Sequence, residues 1–284
     1  MSSVKLDHGM VERAAVGCVL RLPRVPHRGK LGEVRASSVG SSLELHDFRQ
    51  YSPGDDLRHI DWNAVARTGE LYLRVRQDEV SPRVEVLLDG SASMGVTPEK
   101  AARAREIAAW VCTLARRGGL EPILIATGVN VQKGSGPATR ALLENLAFDG
   151  KEPFDLALRR APPLSTCGLR IVISDFLFES PPEPFAERLA RGAAGLMLVQ
   201  VLDEEDLDPS GGAGARLTDS ESGDVLERIL TPHVIDQYLD RLKSHVGLWQ
   251  GAARRVRATW AQASAEHRLD ALARRELSAL VEVA

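Results

Sequence analysis

The stretch VEVLLDGSASMG, residues 84–95, decides the fold of this chain. It opens with a short, mostly apolar run, which is typical of a strand covered on both faces of a parallel sheet. The run ends at Asp89, and Ser91 and Ser93 follow at alternate positions. Carboxylate and hydroxyl oxygens are hard ligands of the kind that Mg²⁺ and Mn²⁺ prefer. Asp and Ser also form ordinary turns, so this spacing alone leaves both a metal site and a polar turn open.

The segments that follow alternate between helix and strand patterns. A helix is predicted from Thr97, its N-cap, and Pro98, its first residue, to the glycines at 118–119. Further helices are predicted near 138–147, 153–160 and 182–192 and from 232, and further strands at 122–126, 129–133, 169–174 and 195–202. Strands joined by helices imply right-handed crossovers and a mostly parallel sheet. We therefore predict a doubly wound α/β domain over residues 83–284, with a C-terminal hairpin at SESGD and helices. A β-containing extension over residues 1–82 precedes it and includes a half-buried strand near 71–75.

A second predicted strand also ends at an acidic residue, since LRIVIS (169–174) leads into Asp175. In an open parallel sheet, ligands gather at the carboxyl ends of the strands. Asp89, Ser91, Ser93 and Asp175 are therefore the candidate metal ligands, for Mg²⁺ or Mn²⁺.

Ser93 has a competing interpretation as a nucleophile. It lies in a small-x-Ser-x-Gly sequence between a strand and a helix, and Asp175 and His233 follow in the order of a hydrolase triad. However, Ser91 stands where a nucleophile elbow has glycine, and the loop is longer than an elbow. The sequence favours a metal ligand.

The composition excludes some functional classes. The net charge of −3 gives no bulk attraction for nucleic acid or anionic membranes. Three widely separated cysteines form neither a disulfide framework nor a zinc pattern, which favours a reducing compartment. No segment has the ~18 uninterrupted apolar residues of a membrane span. We expect a cytoplasmic protein with no membrane span.

A longer segment carries a family resemblance. LELHDFRQYSPGDDLRHIDWNAVARTGELYLRVRQDE (43–79) resembles the signature of bacterial proteins with domain of unknown function 58, R-x-Y-x-x-G-D-D-x-R-x-I-D-W, which precedes an A-type domain. The matching residues are Arg49, Tyr51, Gly54, Asp55, Asp56, Arg58, Ile60, Asp61 and Trp62. DGSASM with the later VISDF is similar to the metal-ion-dependent adhesion site of von Willebrand factor type A domains.

The resemblance implies a von Willebrand factor A-like fold and an Mg²⁺-type site. Asp89, Ser91 and Ser93 match the first metal loop of the family, and Asp175 matches its later aspartate. The family's threonine ligand is expected near FDGKEPFDLAL, which contains no threonine. Either Asp149 or Glu152 substitutes for it, or the site binds its ion weakly; Thr127 and Thr139 do not fit this role.

The resemblance also implies a function. Genes of this family often neighbour those of MoxR-type AAA+ ATPases, which implies a non-enzymatic interaction module that partners such an ATPase in assembly or maturation of other proteins. Two alternatives remain open: a metal-independent scaffold with a vestigial loop, and a serine hydrolase that uses Ser93.

The signature residues have two interpretations. Asp55, Asp56, Arg58 and Asp61 can form an ion-pair network that holds the extension, with Trp62 as its apolar anchor, or they can face a partner protein. Gly54 and the alternating charges suit a folded turn, which favours the structural role.

Overall fold

The computed structural model of this chain describes residues 6–22, 48–52, 60, 62–74, 83–209, 216–218, 225–227 and 231–283. The chain divides into two compact units, one of Met1–Pro23 with Pro82–Ala284 and one of Arg24–Ser81. The predicted extension over residues 1–82 is thus shared between the two units.

In the smaller unit, a short strand pair flanks a helix. The elements are β2 (Phe48–Gln50), α2 (Trp62–Thr68) and β3 (Tyr72–Arg74). β2 and β3 pair antiparallel, and the N–H of Tyr51 donates to the carbonyl of Leu71 at 2.8 Å. The strand predicted near 71–75 is therefore present.

The elements of the larger unit follow the predicted alternation. Its helices are α1 (His8–Ala14), α3 (Pro98–Arg117), α4 (Pro137–Asn145), α5 (Phe154–Ala157), α6 (Pro182–Ala190), α7 (Glu204–Leu207), α8 (Pro232–Arg255) and α9 (Leu269–Arg274). Its strands are β1 (Cys18–Leu20), β4 (Val84–Leu88), β5 (Pro122–Ala126), β6 (Gln132–Ser135), β7 (Cys167–Ser174), β8 (Ala193–Leu202), β9 (Arg216–Thr218), β10 (Val225–Glu227), β11 (Thr259–Ser264) and β12 (Val281–Val283).

A six-stranded sheet organises this unit. Its strand order is β11-β8-β7-β4-β5-β6, and every strand is parallel to its neighbours except β6, which runs antiparallel to β5. The order reverses between β4 and β7, as in doubly wound folds. The predicted A-like, mostly parallel α/β fold is confirmed.

Each face of the sheet has its own apolar core. Along β4, Val84, Val86 and Leu88 join the core formed with α1, α3, α4 and α9, whereas Leu87 joins the core formed with α5, α6 and α8. This alternation follows from the period of two in a strand. The second core is rich in aromatic rings, and the ring centroids of Phe176 and Trp249 are 4.7 Å apart.

The C-terminal and edge structure differs from the prediction in some parts and agrees with it in others. β11 is an edge strand in a stretch that we expected to be partly helical, and β6 begins three residues later than predicted. β1 pairs antiparallel with β12, so residues 18–20 and 281–283 lie side by side. β9 and β10 pair antiparallel as the predicted hairpin, and its turn at SESGD lies outside the described residues.

Candidate metal centre

Three neighbouring parallel strands end at an aspartate. Asp89 directly follows β4, Asp175 follows β7 and Asp203 follows β8. Because these strands are parallel neighbours, their carboxyl ends lie side by side, next to the point where the strand order reverses. The strand-end rule that predicted Asp89 and Asp175 also applies to Asp203, which the sequence analysis missed.

Asp89 is buried, and both of its carboxylate oxygens accept a hydrogen bond. Its Oδ1 accepts from the N–H of Ser91 at 2.9 Å, and its Oδ2 accepts from the hydroxyl of Ser174 at 2.6 Å. Burial, and after it the negative charge of Asp175, raise the pKa of Asp89 to about 7. A charged carboxylate is therefore unfavourable at this position unless a cation lies close to it.

Ser91 and Ser93 face each other across the loop. Their Oγ atoms are 2.9 Å apart; Ser91 is buried and Ser93 is partly exposed. Neighbouring ligands of an octahedral Mg²⁺, each at about 2.0–2.1 Å from the ion, lie about 2.9 Å apart. The two hydroxyls thus have the separation that such an ion requires.

Asp175 is paired with a lysine that the sequence analysis did not identify. The Nζ of Lys100 lies 3.1 Å from Oδ2 of Asp175 and 2.9 Å from Oδ2 of Asp206, and Lys100 is 2% exposed. The other oxygen of Asp175 accepts from the N–H of Leu177 at 3.0 Å. Burial alone lowers the pKa of Lys100, but the carboxylates of Asp175 and Asp206 outweigh it and raise that pKa.

Glycine at position 90 lets the loops of this edge pack tightly. A Cβ on Gly90 would lie 1.8 Å from the carbonyl oxygen of Thr127, so no larger residue fits without moving the backbone. The N–H of Gly90 donates to Oγ1 of Thr127 at 3.0 Å, and its carbonyl accepts from the N–H of Gly150 at 3.0 Å. Thr127 therefore supports the metal loop through the backbone.

The proposed substitutes for the missing threonine lie in different surroundings. Asp149 precedes Gly150, which forms a bridge with Ser91, but the Oδ1 of Asp149 accepts from the N–H of Val129 at 3.1 Å. Glu152 pairs with Arg160 at 2.9 Å. Asp149 is thus the acidic residue beside the candidate centre. Thr139 is buried in α4.

The residues of the hydrolase alternative have other partners. The hydroxyl of Ser93 pairs with Ser91, Asp175 pairs with Lys100, and the ring of the exposed His233 contacts Gln237 at 3.1 Å. Among the described residues, no hydrogen bond joins Ser93 and His233. This geometry lends the hydrolase alternative no support.

Most signature residues of the smaller unit lie outside the described part of the chain, namely Gly54, Asp55, Asp56, Arg58 and Asp61. Arg49 lies in β2, and Tyr51 follows this strand. Trp62 is the first residue of α2 and is 66% exposed. The role of Trp62 as an apolar anchor stays a prediction.

In the parts of the chain that the structure describes, no group of three or more His, Cys, Asp or Glu side chains is arranged to hold a metal ion. The candidate centre combines two carboxylates, Asp89 and Asp175, with the two serine hydroxyls. It therefore depends on hydroxyl oxygens as ligands.

Comparison with known proteins identifies the family. The family model "Protein of unknown function DUF58" matches residues 47–245. The chain belongs to this family. An uncharacterized protein of Mycobacterium tuberculosis is 28% identical to it over 244 residues, which are 79% of this chain and 74% of the relative. A counterpart in Mycobacterium bovis has the same identity and coverage.

Solved structures show similarity at low identity. The conserved hypothetical protein BatB of Bacteroides thetaiotaomicron is 17% identical, with a TM-score of 0.41 over 70% of this chain and 98% of that one. An aerotolerance-related membrane protein of Bacteroides fragilis is 15% identical, with a TM-score of 0.39 and the same coverage. A von Willebrand factor type A structure from Catenulispora acidiphila is 11% identical, with a TM-score of 0.31 over 62% of this chain and 42% of that one.

These comparisons correct the expected location. The prediction of a cytoplasmic protein is contradicted by these comparisons, because the Bacteroides fragilis neighbour is named as a membrane protein. Among the helices that the structure describes, none is long and apolar enough to cross a bilayer.

Proposed function

We propose that this chain is a non-enzymatic interaction module that holds a divalent cation, Mg²⁺ or Mn²⁺, at the carboxyl edge of its sheet. Asp89, Ser91 and Ser93 would hold the ion, and Asp175 would lie close to it. The observation that carries the proposal is the pair of hydroxyls 2.9 Å apart beside the buried Asp89. The ion would supply an open coordination position for a carboxylate of another protein.

The charge balance of the edge supports a cation. Asp89, Asp175, Asp203 and Asp206 lie together at the strand ends, and Lys100 is the cation paired with two of them. Carboxylates removed from water are stable when they are paired or bound to metal. A bound divalent ion would lower the cost of ionising Asp89.

Exposed apolar side chains around the centre support partner binding. Val129, Val96 and Leu177 lie in the loops after β5, β4 and β7, and Leu207 is the last residue of α7, which follows β8. These are four consecutive strands of the sheet. Each of the four apolar residues exposes between 36% and 55% of its surface. Apolar side chains beside a polar centre are typical of an interface.

The charges of these loops indicate the chemistry of the partner. The exposed acidic residues Glu99, Asp149, Glu179, Glu204, Glu205 and Asp208 outnumber the exposed Lys151. A fitting partner surface therefore has apolar side chains, basic groups at its margin and one carboxylate that reaches the ion. We propose a MoxR-type AAA+ ATPase as this partner, acting with the chain in the assembly or maturation of other proteins.

The direct test is binding of the purified chain to a purified, nucleotide-free MoxR-type ATPase of the same organism. We expect binding in excess Mg²⁺, strong weakening in EDTA, and the same weakening in Mg²⁺ with Asp89→Ala. Asp236→Ala, which removes an exposed acidic residue of α8, is the matched control and should bind like the wild type.

The outcomes separate the alternatives. Equal binding in Mg²⁺, in EDTA and by Asp89→Ala would identify a metal-independent scaffold. No binding under any condition would reject the ATPase as the partner. Labelling of Ser93 by a fluorophosphonate would instead favour the hydrolase.

A further inference from the structure

Lys100 lies where a lysine is unfavourable on two counts. It is the third residue of α3, so its charge lies in the first turn, where the helix dipole disfavours cations. Its side chain is also 2% exposed, which removes the ammonium group from water. Only specific anionic partners can stabilise a lysine at this position.

The surrounding elements hold those partners in place. Asp206 belongs to the capping box of α7, in which its side chain accepts from the N–H of Asp203 and the side chain of Asp203 accepts from the N–H of Asp206. The other oxygen of Asp203 accepts from the hydroxyl of Thr97, the N-cap of α3, at 2.7 Å. The hydroxyl of Tyr238 in α8 donates to the carbonyl of Asp206 at 2.9 Å. The Lys100 ammonium is thus fixed between Asp175 and Asp206.

We propose that Lys100 is a built-in cation that competes with a divalent ion for Asp175 and so keeps the ion affinity of this edge low. The inference rests on the proposed function for the position of the ion. One oxygen of Asp175 binds Lys100 and the other binds the N–H of Leu177, so an ion that uses Asp175 must share this carboxylate with both donors. The positive charge of Lys100 would also repel an ion bound beside Asp175.

The inference predicts a gain of binding. In calorimetric titrations with Mg²⁺ and with Mn²⁺, Lys100→Met should bind the ion at least about tenfold more tightly than the wild type, because Asp175 is released and the repulsion is lost. Lys133→Met, at an exposed lysine of β6, is the matched control and should leave the affinity unchanged.

A second variant keeps the test decisive if Lys100→Met fails to fold. Lys100→Met with Asp206→Asn removes one positive and one negative charge, so the net charge of the edge is that of the wild type. We expect this double variant, with folding checked by circular dichroism, also to bind more tightly, since Asp175 is still released. Wild-type affinity in the double variant would overturn the proposal.

The two proposals can fail separately. Measurable Mg²⁺ binding by the wild type with equal affinity in the Lys100 variants would overturn the role of Lys100 and leave the metal-dependent function standing. No binding by the wild type but clear binding by the double variant would support the role of Lys100 and reject a metal-dependent function for the natural chain.

Discussion

Asp89 connects the sequence of the metal loop to its chemistry. A buried strand places this carboxylate at the sheet edge, and two donors of its own chain, the N–H of Ser91 and the hydroxyl of Ser174, hold it there. These bonds favour the charged form, but burial and Asp175 oppose it more strongly. Asp89 is therefore suited to binding a cation reversibly.

The metal-free chain should lose stability as the pH rises, because of Asp89. Its pKa in the folded state is about 7, above the ordinary value of 3.8, so folding binds its proton more tightly. The stabilisation that comes from this raised pKa of Asp89 is complete below about pH 4 and is lost as the pH rises through 7. Each pH unit in this window changes the free energy of unfolding by up to about 1.4 kcal/mol.

Asp89→Asn should reduce this pH dependence of the free energy of unfolding, since the amide has a similar shape and does not ionise. Urea unfolding in EDTA at several pH values between 4 and 8 would measure the difference between the two proteins. The prediction fails if the wild type and Asp89→Asn show parallel pH dependence across this range.

At the residue scale, the sequence predicted the loop but not the lysine. Asp89, Ser91, Ser93 and Asp175 could be placed at one edge of the sheet because strand ends can be identified from apolar runs. Lys100 lies four residues before Ala104, on the buried stripe of α3. The burial of Lys100 could therefore have been predicted from its position in the helix. The partner Asp206 could not be assigned, since its contact depends on how α7 packs against α3.

At the scale of elements, a buried ion pair joins two central strands. Glu85 of β4 and Arg170 of β7 are direct neighbours, with Nε of Arg170 at 2.6 Å from Oε2 of Glu85. Arg170 also donates to the carbonyls of Leu189, Arg191 and Ser165, and no part of it is exposed. The guanidinium thus connects β4 and β7 to the C-terminal end of α6 and to the loop before β7.

Arg170→Met should destabilise the protein by about 3–5 kcal/mol, because it leaves the buried Glu85 without its cation and several carbonyls without a donor. Chemical denaturation would measure the change in the free energy of unfolding. Arg255→Ala breaks the exposed pair with Glu183 and should cost less than about 1 kcal/mol. Equal losses of unfolding free energy in the two variants would show that the buried pair contributes no more to stability than the exposed pair.

The predicted elements succeeded where local signals were strong. Thr97 and Pro98 begin α3 as expected, since the hydroxyl of Thr97 accepts from the N–H of Lys100 at 3.2 Å. β11 was missed because TWAQAS is an edge strand whose buried positions are alanines, and alanine favours helices. Its pairing with β8 is a long-range contact that a local pattern does not contain.

For the whole molecule, the sequence predicted the fold class because four buried strands and their crossovers define a doubly wound sheet. The family resemblance, carried by residues 43–79, is confirmed by the family match over residues 47–245. The pairing of β1 with β12 was not predicted, since it joins short strands from opposite ends of the chain. In the larger unit, the segments after four neighbouring strands share one edge, which carries the proposed ion site and several exposed apolar side chains.

The central claim is that this edge binds a divalent cation through Asp89, Ser91 and Ser93. Its most direct test is calorimetric titration of the metal-free chain with Mn²⁺ and with Mg²⁺, beside a variant with both Ser91→Ala and Ser93→Ala. The account predicts saturable binding of one ion by the wild type and at least a tenfold loss of affinity in the double variant, with the fold intact by circular dichroism. Binding of equal affinity by the two proteins, or no binding by the wild type at millimolar ion concentrations, would contradict it.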